Sequence, residues 1–396
     1  MDFAATKALF HLPHGVTYLD GNSLGAMPKA ALARVGQSVT AEWGEMLITA
    51  WNMAGWMAQP GQLGDRIGRL IGAVPGSVMV GDTLSLKIYQ LLASALELRP
   101  ARRVILSDSG NFPSDLYMAE GLIRMLARDH ELRVVAPDDV AEAITDEVAV
   151  TLLTEVDYRT GRLHDMTALT AKAHAVGALA IWDLAHSAGA IPVNLATAKA
   201  DFAAGCTYKF LNAGPGAPAF VYIRPDHQPH VQPALSGWLG HEAPFAFDPG
   251  YRPGIGIERM RIGTPPVLQM AALDAALDIW DHVDMTALRA RQIELSELFI
   301  RNVLAACPDL ALASPQEPDH RGSQVSFRHP QGYAIMQALI ARHVIGDFRA
   351  PDILRFGITP LYIDEGDITR AATVLAEIMA GSLWDRPQYH HRQAVT

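Results

Sequence analysis

The chain has 396 residues, of which 49% are hydrophobic and 19% charged, so it can bury a large core, and its length predicts two domains rather than one. Its formal net charge of −10 provides no general field that would attract nucleic acid or an anionic membrane surface, which argues against both partners. The two cysteines, Cys206 and Cys307, are too few for a disulfide framework, and no segment looks like a signal peptide or a membrane span, so we expect a cytoplasmic protein.

Short apolar runs alternate with amphipathic segments in the first half of the chain. The apolar runs predict buried strands at 77–80, 104–106, 132–135, 149–153, 178–182 and 217–223. Between two of these strands, Asp165 is placed to cap a helix that Gly177 closes. This alternation predicts a βαβ arrangement with a mostly parallel sheet.

The pattern of predicted secondary structure changes after residue 265. Leucine, alanine and isoleucine at helical spacing predict helix from 266 to about 304, and short strands follow at 324–327 and 353–356. We therefore predict three parts. They are an N-terminal segment (1–50) that packs with the small domain, a large α/β domain (51–280) and a smaller α+β C-terminal domain (281–396).

Opposite charges follow two of the predicted strands. Asp183 ends the strand in AIWDLAHSAGA (180–190), and Lys209 follows the strand in DFAAGCTYKF (201–210). Ligands bind outside the carboxyl ends of parallel strands, so both side chains are expected in one crevice. A buried lysine can attack an aldehyde, and a carboxylate can keep a pyridinium nitrogen protonated. The pair predicts a site for pyridoxal 5'-phosphate (PLP).

Each of these features also has a simpler structural explanation. Asp183 could cap a helix and Lys209 could be a surface lysine. The segment 81–85, between a strand and a helix, could bind phosphate through its amides or could be an ordinary helix cap at Thr83 or Ser85. Phe112 could cover a flat ring or belong to the core, and His186 could face the ligand or be structural. The glycines at 214 and 216 and the hydroxyl of Tyr208 favour the PLP interpretation.

Seven motifs lie along the chain: YLDGNSLG (18–25), WNMAGW (51–56), NFPSDLY (111–117), IWDLAHSAGA (181–190), CTYKFLNAGPG (206–216), LSGWLGH (235–241) and RFGITPLY (355–362). Together they resemble the kynureninase family. The resemblance spans nearly the whole chain. It implies the fold-type I PLP-enzyme fold, with a mostly parallel seven-stranded sheet in the large domain. It also implies hydrolysis of L-kynurenine to anthranilate and L-alanine, in tryptophan degradation, by a homodimer with shared active sites.

The resemblance also implies roles for individual residues. Lys209 would hold PLP as a Schiff base and act as the catalytic base, with Asp183 at the pyridine nitrogen and Tyr208 as the candidate proton donor. Arg355 would receive the substrate carboxylate, and Asn22, Ser23 and Trp51 would shape the substrate pocket. The remaining cofactor-lining positions are Thr83, Leu84, Phe112, Ser114, Asp115, His186, Trp238 and Thr264, of which Trp238 and Thr264 are expected to reach across the dimer.

Two positions depart from the family pattern. Leu84 replaces an expected Thr or Ser, which removes a hydroxyl and leaves a backbone amide for phosphate. Thr264 stands where relatives that favour 3-hydroxykynurenine carry Asn, which favours unmodified kynurenine. The sequence leaves the preferred substrate, the pathway and the group that stabilises the hydrated carbonyl open.

Three alternatives remain at this point. The chain could be an aminotransferase or a cysteine desulfurase of the same fold, although neither cysteine is well placed for a desulfurase. It could also be a non-enzymatic relative, although such proteins usually lose the lysine. No His/Asp/Glu cluster has the spacing of metal ligands, so no metal is expected.

Overall fold

The computed structural model describes residues 1–393, which form an N-terminal segment, a large α/β unit and a smaller α+β unit. The N-terminal segment contains α1 (Phe3–Lys7), β1 (Phe10–His11), β2 (Thr17–Tyr18), β3 (Met27–Pro28), α2 (Lys29–Gln37) and α3 (Ala50–Met53). A π-helix, Ser38–Glu45, and a 3₁₀ turn, Leu47–Thr49, lie between α2 and α3.

The large unit alternates helices and strands, as predicted. Its elements are α4 (Gln59–Leu70), β4 (Val78–Val80), α5 (Leu84–Leu98), β5 (Val104–Asp108), α6 (Pro113–Leu126), β6 (Glu131–Val135), α7 (Val140–Ala143), β7 (Val148–Thr154), α8 (Met166–Ala175), β8 (Leu179–Asp183), α9 (Leu195–Ala198), β9 (Phe202–Cys206), β10 (Ala219–Ile223) and α10 (Val267–Trp280). Short 3₁₀ helices follow β6 at Pro137–Asp139 and follow β10 at Trp238–Gly240, Pro244–Ala246 and Gly256–Met260.

The seven strands form one sheet in the order β4-β10-β9-β8-β7-β5-β6, in which only β10 runs antiparallel to its neighbours. Helices cover both faces. Along β8, Ala180 and Trp182 pack into the core on one face and Leu179 and Ile181 into the core on the other. This alternation of fully buried side chains is typical of a sheet between two helical layers. The seven-stranded, mostly parallel sheet is confirmed.

The loops at the carboxyl ends of β4, β5, β8 and β9 open on the same edge of this sheet because these four strands run in one direction. The predicted cap of α8 is also present, since the Asp165 carboxylate accepts a hydrogen bond from the amide of Ala168 at 2.9 Å. Gly177, with a φ of +81°, closes that helix in the left-handed region. Residue spacing therefore predicted both the strands and this helix.

The small unit contains α11 (Met285–Ala306), β11 (Ala311–Leu312), a 3₁₀ turn (Pro318–His320), β12 (Gln324–Arg328), α12 (Gly332–Ile340), β13 (Val344–Ile345), β14 (Asp347–Arg349), β15 (Ile353–Gly357), α13 (Glu365–Ala380) and α14 (Pro387–His390). Four strands form an antiparallel sheet in the order β11-β12-β15-β14. The helix predicted from 266 to 304 is instead two helices, because Asp284 caps α11 by accepting hydrogen bonds from the amides of Thr286 and Ala287.

The N-terminal segment contacts both larger units. β2 pairs in parallel with β13, and the amide of Gly357 donates to the carbonyl of Leu19 at 2.7 Å. The amide of Gly25 donates to the carbonyl of Tyr208 at 2.9 Å, and a Cβ at Gly25 would lie only 2.1 Å from the carbonyl oxygen of Lys209. The boundaries at 50 and 280 stay a prediction, and the last three residues of the predicted range 281–396 lie outside the described part of the chain.

Candidate active site

A cavity of about 200 Å³ lies at the carboxyl edge of the large sheet, between that sheet and the small unit. Its walls come from four loops of the large unit, the N-terminal segment and the small antiparallel sheet. The lining residues are Asn22, Ser23, Leu84, Ser85, Phe112, Ser114, Asp115, Asp183, Ala185, His186, Tyr208, Lys209, Arg349 and Arg355. Eleven of these were predicted site residues, and Ser85, Ala185 and Arg349 were not.

The lysine and the aspartate follow neighbouring strands and face the same cavity. Lys209 lies three residues beyond the end of β9, and its Nζ atom is 3.0 Å from Nε2 of His186. Asp183 is the last residue of β8, and its Oδ1 accepts a hydrogen bond from the amide of Ala185 at 2.8 Å. The carboxylate thus holds the turn after β8 as well as facing the cavity.

Two carboxyl groups in the cavity are buried deeply enough to change their protonation. Burial raises the pKa of Asp183 to about 6, although the nearby Lys209 cation opposes this change. Burial, together with the charge of Asp183, raises the pKa of Asp115 well above its ordinary value. Among the described residues, Oδ2 of Asp115 is buried and has no hydrogen-bond partner. A cationic N–H group placed between these carboxyl groups would stabilise their ionised forms.

Two helices begin at the cavity and can bind an anion there. α5 starts at Leu84, and Thr83 at its N-cap position makes no side-chain capping bond. α6 starts at Pro113, and the hydroxyl of Ser114 lies 2.9 Å from that of Ser85. Free amides, two hydroxyls and the positive ends of two helix dipoles therefore converge on one place.

Aromatic rings border the amine. The Nζ atom of Lys209 lies 5.9 Å from the ring centroid of Phe112 and 5.8 Å from that of Tyr208. Phe112 is held edge-to-face by Tyr158, with 5.0 Å between the ring centroids. Burial raises the pKa of Tyr208, so its hydroxyl stays protonated and can donate a hydrogen bond.

These groups fit PLP. The cofactor requires an amine for its aldehyde, an acidic partner for its pyridine nitrogen, an aromatic face and donors for its phosphate. Lys209, Asp183, Phe112 and the starts of α5 and α6 provide one of each. The buried, unpartnered oxygen of Asp115 indicates that a cationic or N–H-bearing group belongs beside it.

Arg355 occupies the side of the cavity formed by the small unit. It lies on β15 and is almost fully buried. Its Nε atom donates to Asp347 at 2.7 Å, and its terminal nitrogens donate to Asp347, to the hydroxyl of Ser23 at 2.8 Å and to the carbonyl of Tyr158 at 2.5 Å. Asn22 beside it is fully buried, and neither its amide nitrogen nor its amide oxygen has a partner among the described residues.

Four predicted site residues do not line the cavity of the single chain. Thr83 is exposed at the start of α5, and Trp51 lies in α3, where its ring packs edge-to-face against Trp56 at 5.8 Å. Trp238 packs against Phe245 and Phe247 in a separate aromatic cluster, and Thr264 is exposed. The roles of these four residues stay predictions.

The three lining residues that were not predicted differ in whether the sequence contains a signal that could identify them. Ser85 belongs to the segment 81–85, for which the sequence predicts either phosphate binding through amides or a helix cap, but no side-chain role at the site. Ala185 carries no functional group. Arg349 could have been found, because Asp347 and Arg349 flank Phe348 on β14 and alternate residues of a strand share a face.

The described residues contain no group of three or more His, Cys, Asp or Glu side chains that could hold a metal ion. They also contain no helix long and apolar enough to cross a membrane.

Comparison with known sequences connects this cavity to one family. A profile of the kynureninase C-terminal domain matches residues 288–375. The chain is 50% identical to the kynureninase of Burkholderia pseudomallei (strain 1106a), over 99% of this chain and 96% of the relative. It is 49% identical to the kynureninase of Pseudomonas fluorescens over the same shares.

Comparison with solved structures gives the fold alone, because the sequence identities are low. The apo structure of a cysteine desulfurase from Thermococcus onnurineus NA1 matches with a TM-score of 0.80 and 17% identity, over 96% of this chain and 98% of that chain. A C-DES mutant with glycine covalently linked to its PLP cofactor matches with a TM-score of 0.80 and 19% identity, over 95% and 99%. The fold is therefore that of fold-type I PLP enzymes.

Proposed function

The chain belongs to the kynureninase family, and we infer that it is a PLP-dependent hydrolase that converts L-kynurenine to anthranilate and L-alanine. The observation that carries this assignment is the 50% identity over 99% of the chain. The cavity supports it, because a lysine amine, buried carboxyl groups and an arginine face one another there. The corresponding metabolic role is tryptophan degradation.

We assign the cofactor contacts as follows. Lys209 would bind PLP covalently, Asp183 would face its pyridine nitrogen with Asp115 and His186 nearby, and Phe112 would cover one face of the ring. The amides at the start of α5, from Thr83 and Leu84, and the hydroxyl of Ser114 would hold the phosphate, and Tyr208 would lie near it. When bound, PLP supplies an electron sink for the carbanion that forms when the α proton is removed.

The residues of the chain handle protons and orient the substrate. The Lys209 amine would act as the base that takes the α proton of the substrate. Arg355 binds the α-carboxylate. Tyr208, kept protonated by burial, donates to the oxygen that becomes charged when water adds to the γ-carbonyl. The unpartnered amide of Asn22, together with Ser23, would contact the substrate side chain. Trp51 stays a predicted contact, because it does not line the cavity of the single chain.

We also propose a cytoplasmic homodimer with shared active sites. The loop that carries Trp238 supports it, because Trp238, Phe245 and Phe247 are 43%, 61% and 74% exposed in the single chain. Aromatic groups exposed in one cluster are typical of a protein interface. In the dimer, Trp238 and the exposed Thr264 would complete the phosphate side of the partner's cavity.

A desulfurase activity is disfavoured by the two cysteines. Cys206 lies within β9 and Cys307 caps the end of α11, and both are buried. Burial raises the pKa of both thiols. A desulfurase requires an accessible thiolate, and neither cysteine meets this requirement.

The test is an anthranilate fluorescence assay with L-kynurenine and 3-hydroxy-L-kynurenine compared side by side. We expect turnover of both substrates, with a higher kcat/KM for kynurenine, because Thr264 stands where relatives that favour 3-hydroxykynurenine carry Asn. The variant T264N should reduce the difference in kcat/KM between the two substrates. Amino-group transfer to an added keto acid without anthranilate release would instead indicate an aminotransferase and would overturn the proposal.

A further inference from the structure

The guanidinium of Arg355 has little capacity left for a substrate. It has five N–H groups, and its contacts use four of them. Two go to Asp347, one to the hydroxyl of Ser23 and one to the carbonyl of Tyr158. Binding a carboxylate through two parallel hydrogen bonds would require Arg355 to release one of these partners. Arg355 alone is thus an incomplete receptor for the α-carboxylate.

A second arginine stands beside it. β14 pairs with β15 so that Asp347 is opposite Arg355, and Arg349 lies on the same face two residues further along β14. A terminal nitrogen of Arg349 lies 2.7 Å from Oδ2 of Asp347 and donates to the hydroxyl of Ser23 at 3.3 Å. Its side chain is 33% exposed and lines the cavity, whereas that of Arg355 is 2% exposed.

The charges of this group leave a surplus of positive charge. Although burial opposes its ionisation, the two arginines lower the pKa of Asp347, so it carries one negative charge against two positive ones. Burial, together with the charge of Asp347, raises the pKa of the nearby Asp20 to about 7, so Asp20 cancels only part of the remaining positive charge at that pH. The group therefore keeps a net positive charge at the cavity wall, which favours the binding of a substrate carboxylate.

We propose that Arg349 is a second receptor for the substrate α-carboxylate, and that Asp347 is a positioning residue that holds both guanidinium groups. This inference rests on the proposed function, because it concerns an α-amino acid substrate. Arg349 contributes the solvent-facing donors. Arg355 contributes its one free N–H group, and its contacts with Asp347, Ser23 and Tyr158 hold it in place. The predicted role of Arg355 is thereby divided between two side chains.

The test compares R349Q with R328Q in the PLP-loaded enzyme. Arg328 is a matched control, because it lies on β12 of the same sheet, pairs with Asp352 at 3.1 Å and is 56% exposed outside the cavity. Charge-assisted hydrogen bonds contribute enough that R349Q should raise the KM for kynurenine by about 10-fold to 100-fold. R328Q should leave it unchanged.

A second ligand separates carboxylate binding from a general distortion. Kynuramine has the kynurenine skeleton without the α-carboxylate, and its inhibition constant should change less than about twofold in R349Q, while PLP absorbance and melting temperature stay at wild-type values. Unchanged KM in R349Q, or equal weakening of kynurenine and kynuramine, would overturn the inference. D347N should weaken kynurenine binding in the same selective way, and an equal loss for both ligands would remove its positioning role.

Failure of the inference and failure of the proposed function give different results. Anthranilate release by wild type and R328Q upholds the function whatever R349Q does. If wild type released none, the function would fail. Binding of other α-amino acids, followed through the PLP absorbance, would still decide whether R349Q loses selectivity for the carboxylate.

Discussion

The Nζ atom of Lys209 lies 3.0 Å from the Nε2 atom of His186, across the ends of the neighbouring strands β9 and β8. Burial lowers the pKa of His186 well below its ordinary value, and the adjacent Lys209 cation acts in the same direction. His186 is therefore neutral near pH 7, and its Nε2 atom can accept a hydrogen bond from the amine. This contact orients the amine without adding a second positive charge to the cavity.

Lys209→Ala should abolish anthranilate release and leave the fold intact, because the variant loses both the covalent link to PLP and the base for the α proton. The measurement is the fluorescence assay, combined with borohydride reduction and mass spectrometry of the peptide that contains residue 209. Lys172→Ala is the control, since Lys172 is exposed on α8. A folded Lys209→Ala protein with undiminished turnover would contradict the assignment.

The sequence predicted those parts of the site that depend on local rules. Asp183 and Lys209 meet because each follows a buried parallel strand, and the carboxyl ends of such strands share an edge. The α8 cap at Asp165 and the start of α5 next to Thr83 follow from residue preferences at helix ends. These features required only hydrophobic periodicity and knowledge of the residues that begin and end helices.

Other parts depend on tertiary register. Arg349 reaches the cavity because β14 pairs with β15 in the register that sets Asp347 opposite Arg355, and a shift of one residue would turn its side chain away. The break between α10 and α11 was missed because the apolar spacing continues through the four residues that separate them, 281–284.

Lys87→Met should weaken PLP binding even though Lys87 does not line the cavity that would hold the cofactor. The fully buried Lys87 amine donates to Asp82 at 2.7 Å and to the carbonyl of Met260 at 3.0 Å. It thus ties the loop before α5 to the segment that leads to Thr264. Without Lys87, Asp82, which is held at a φ of +54° and has a side chain 26% exposed, loses its partner at a cost of about 1–3 kcal/mol.

We expect the dissociation constant for PLP to rise about twofold to twelvefold if half of that cost falls on the binding loop. Fluorescence titration of the apoprotein measures it, and the exposed Lys172→Met is the control. A lower melting temperature with an unchanged PLP dissociation constant would show that Lys87 supports the fold alone.

Glu155→Gln should stabilise the protein at alkaline pH. Glu155 follows β7, and burial raises its pKa from 4.5 to about 7. Between these values the unfolded chain releases a proton that the folded chain retains, so the free energy of unfolding falls as pH rises from about 4.5 to about 7 and then levels off. Gln removes this penalty, which is on the order of 3 kcal/mol above pH 7.

Urea denaturation at pH 5 and pH 8 measures the effect of Glu155→Gln. The gain in the free energy of unfolding should be present at pH 8 and mostly absent at pH 5. A difference that does not change with pH would mean that the carboxyl group ionises in the folded protein as it does in the unfolded chain.

Asp201 joins several side chains at the end of the large sheet that lies away from the cavity. It is fully buried just before β9, and its Oδ1 lies 2.7 Å from Nε2 of His227 and 2.9 Å from a terminal nitrogen of Arg224. Its Oδ2 lies 2.8 Å from Nε2 of His174 and accepts from the amide of Ala180 at 2.8 Å. Although burial opposes ionisation, these donors lower the pKa of Asp201.

Asp201→Asn should therefore lower the free energy of unfolding at pH 7 by about 3 kcal/mol, because it leaves the surrounding donors without a charged acceptor. A lowered pKa makes this contribution complete above the unfolded pKa, and it is lost as pH falls through the folded pKa, so the two proteins should converge in acid. Asp226→Asn is the control, since its pair with Arg224 is 62% exposed on the aspartate side and should contribute less than about 1 kcal/mol. Asp201 and Lys209 stand at opposite ends of β9, so the KM for kynurenine should be the same in Asp201→Asn as in the wild type. A rise in the KM of Asp201→Asn at full PLP occupancy would show that the two ends of the strand are coupled.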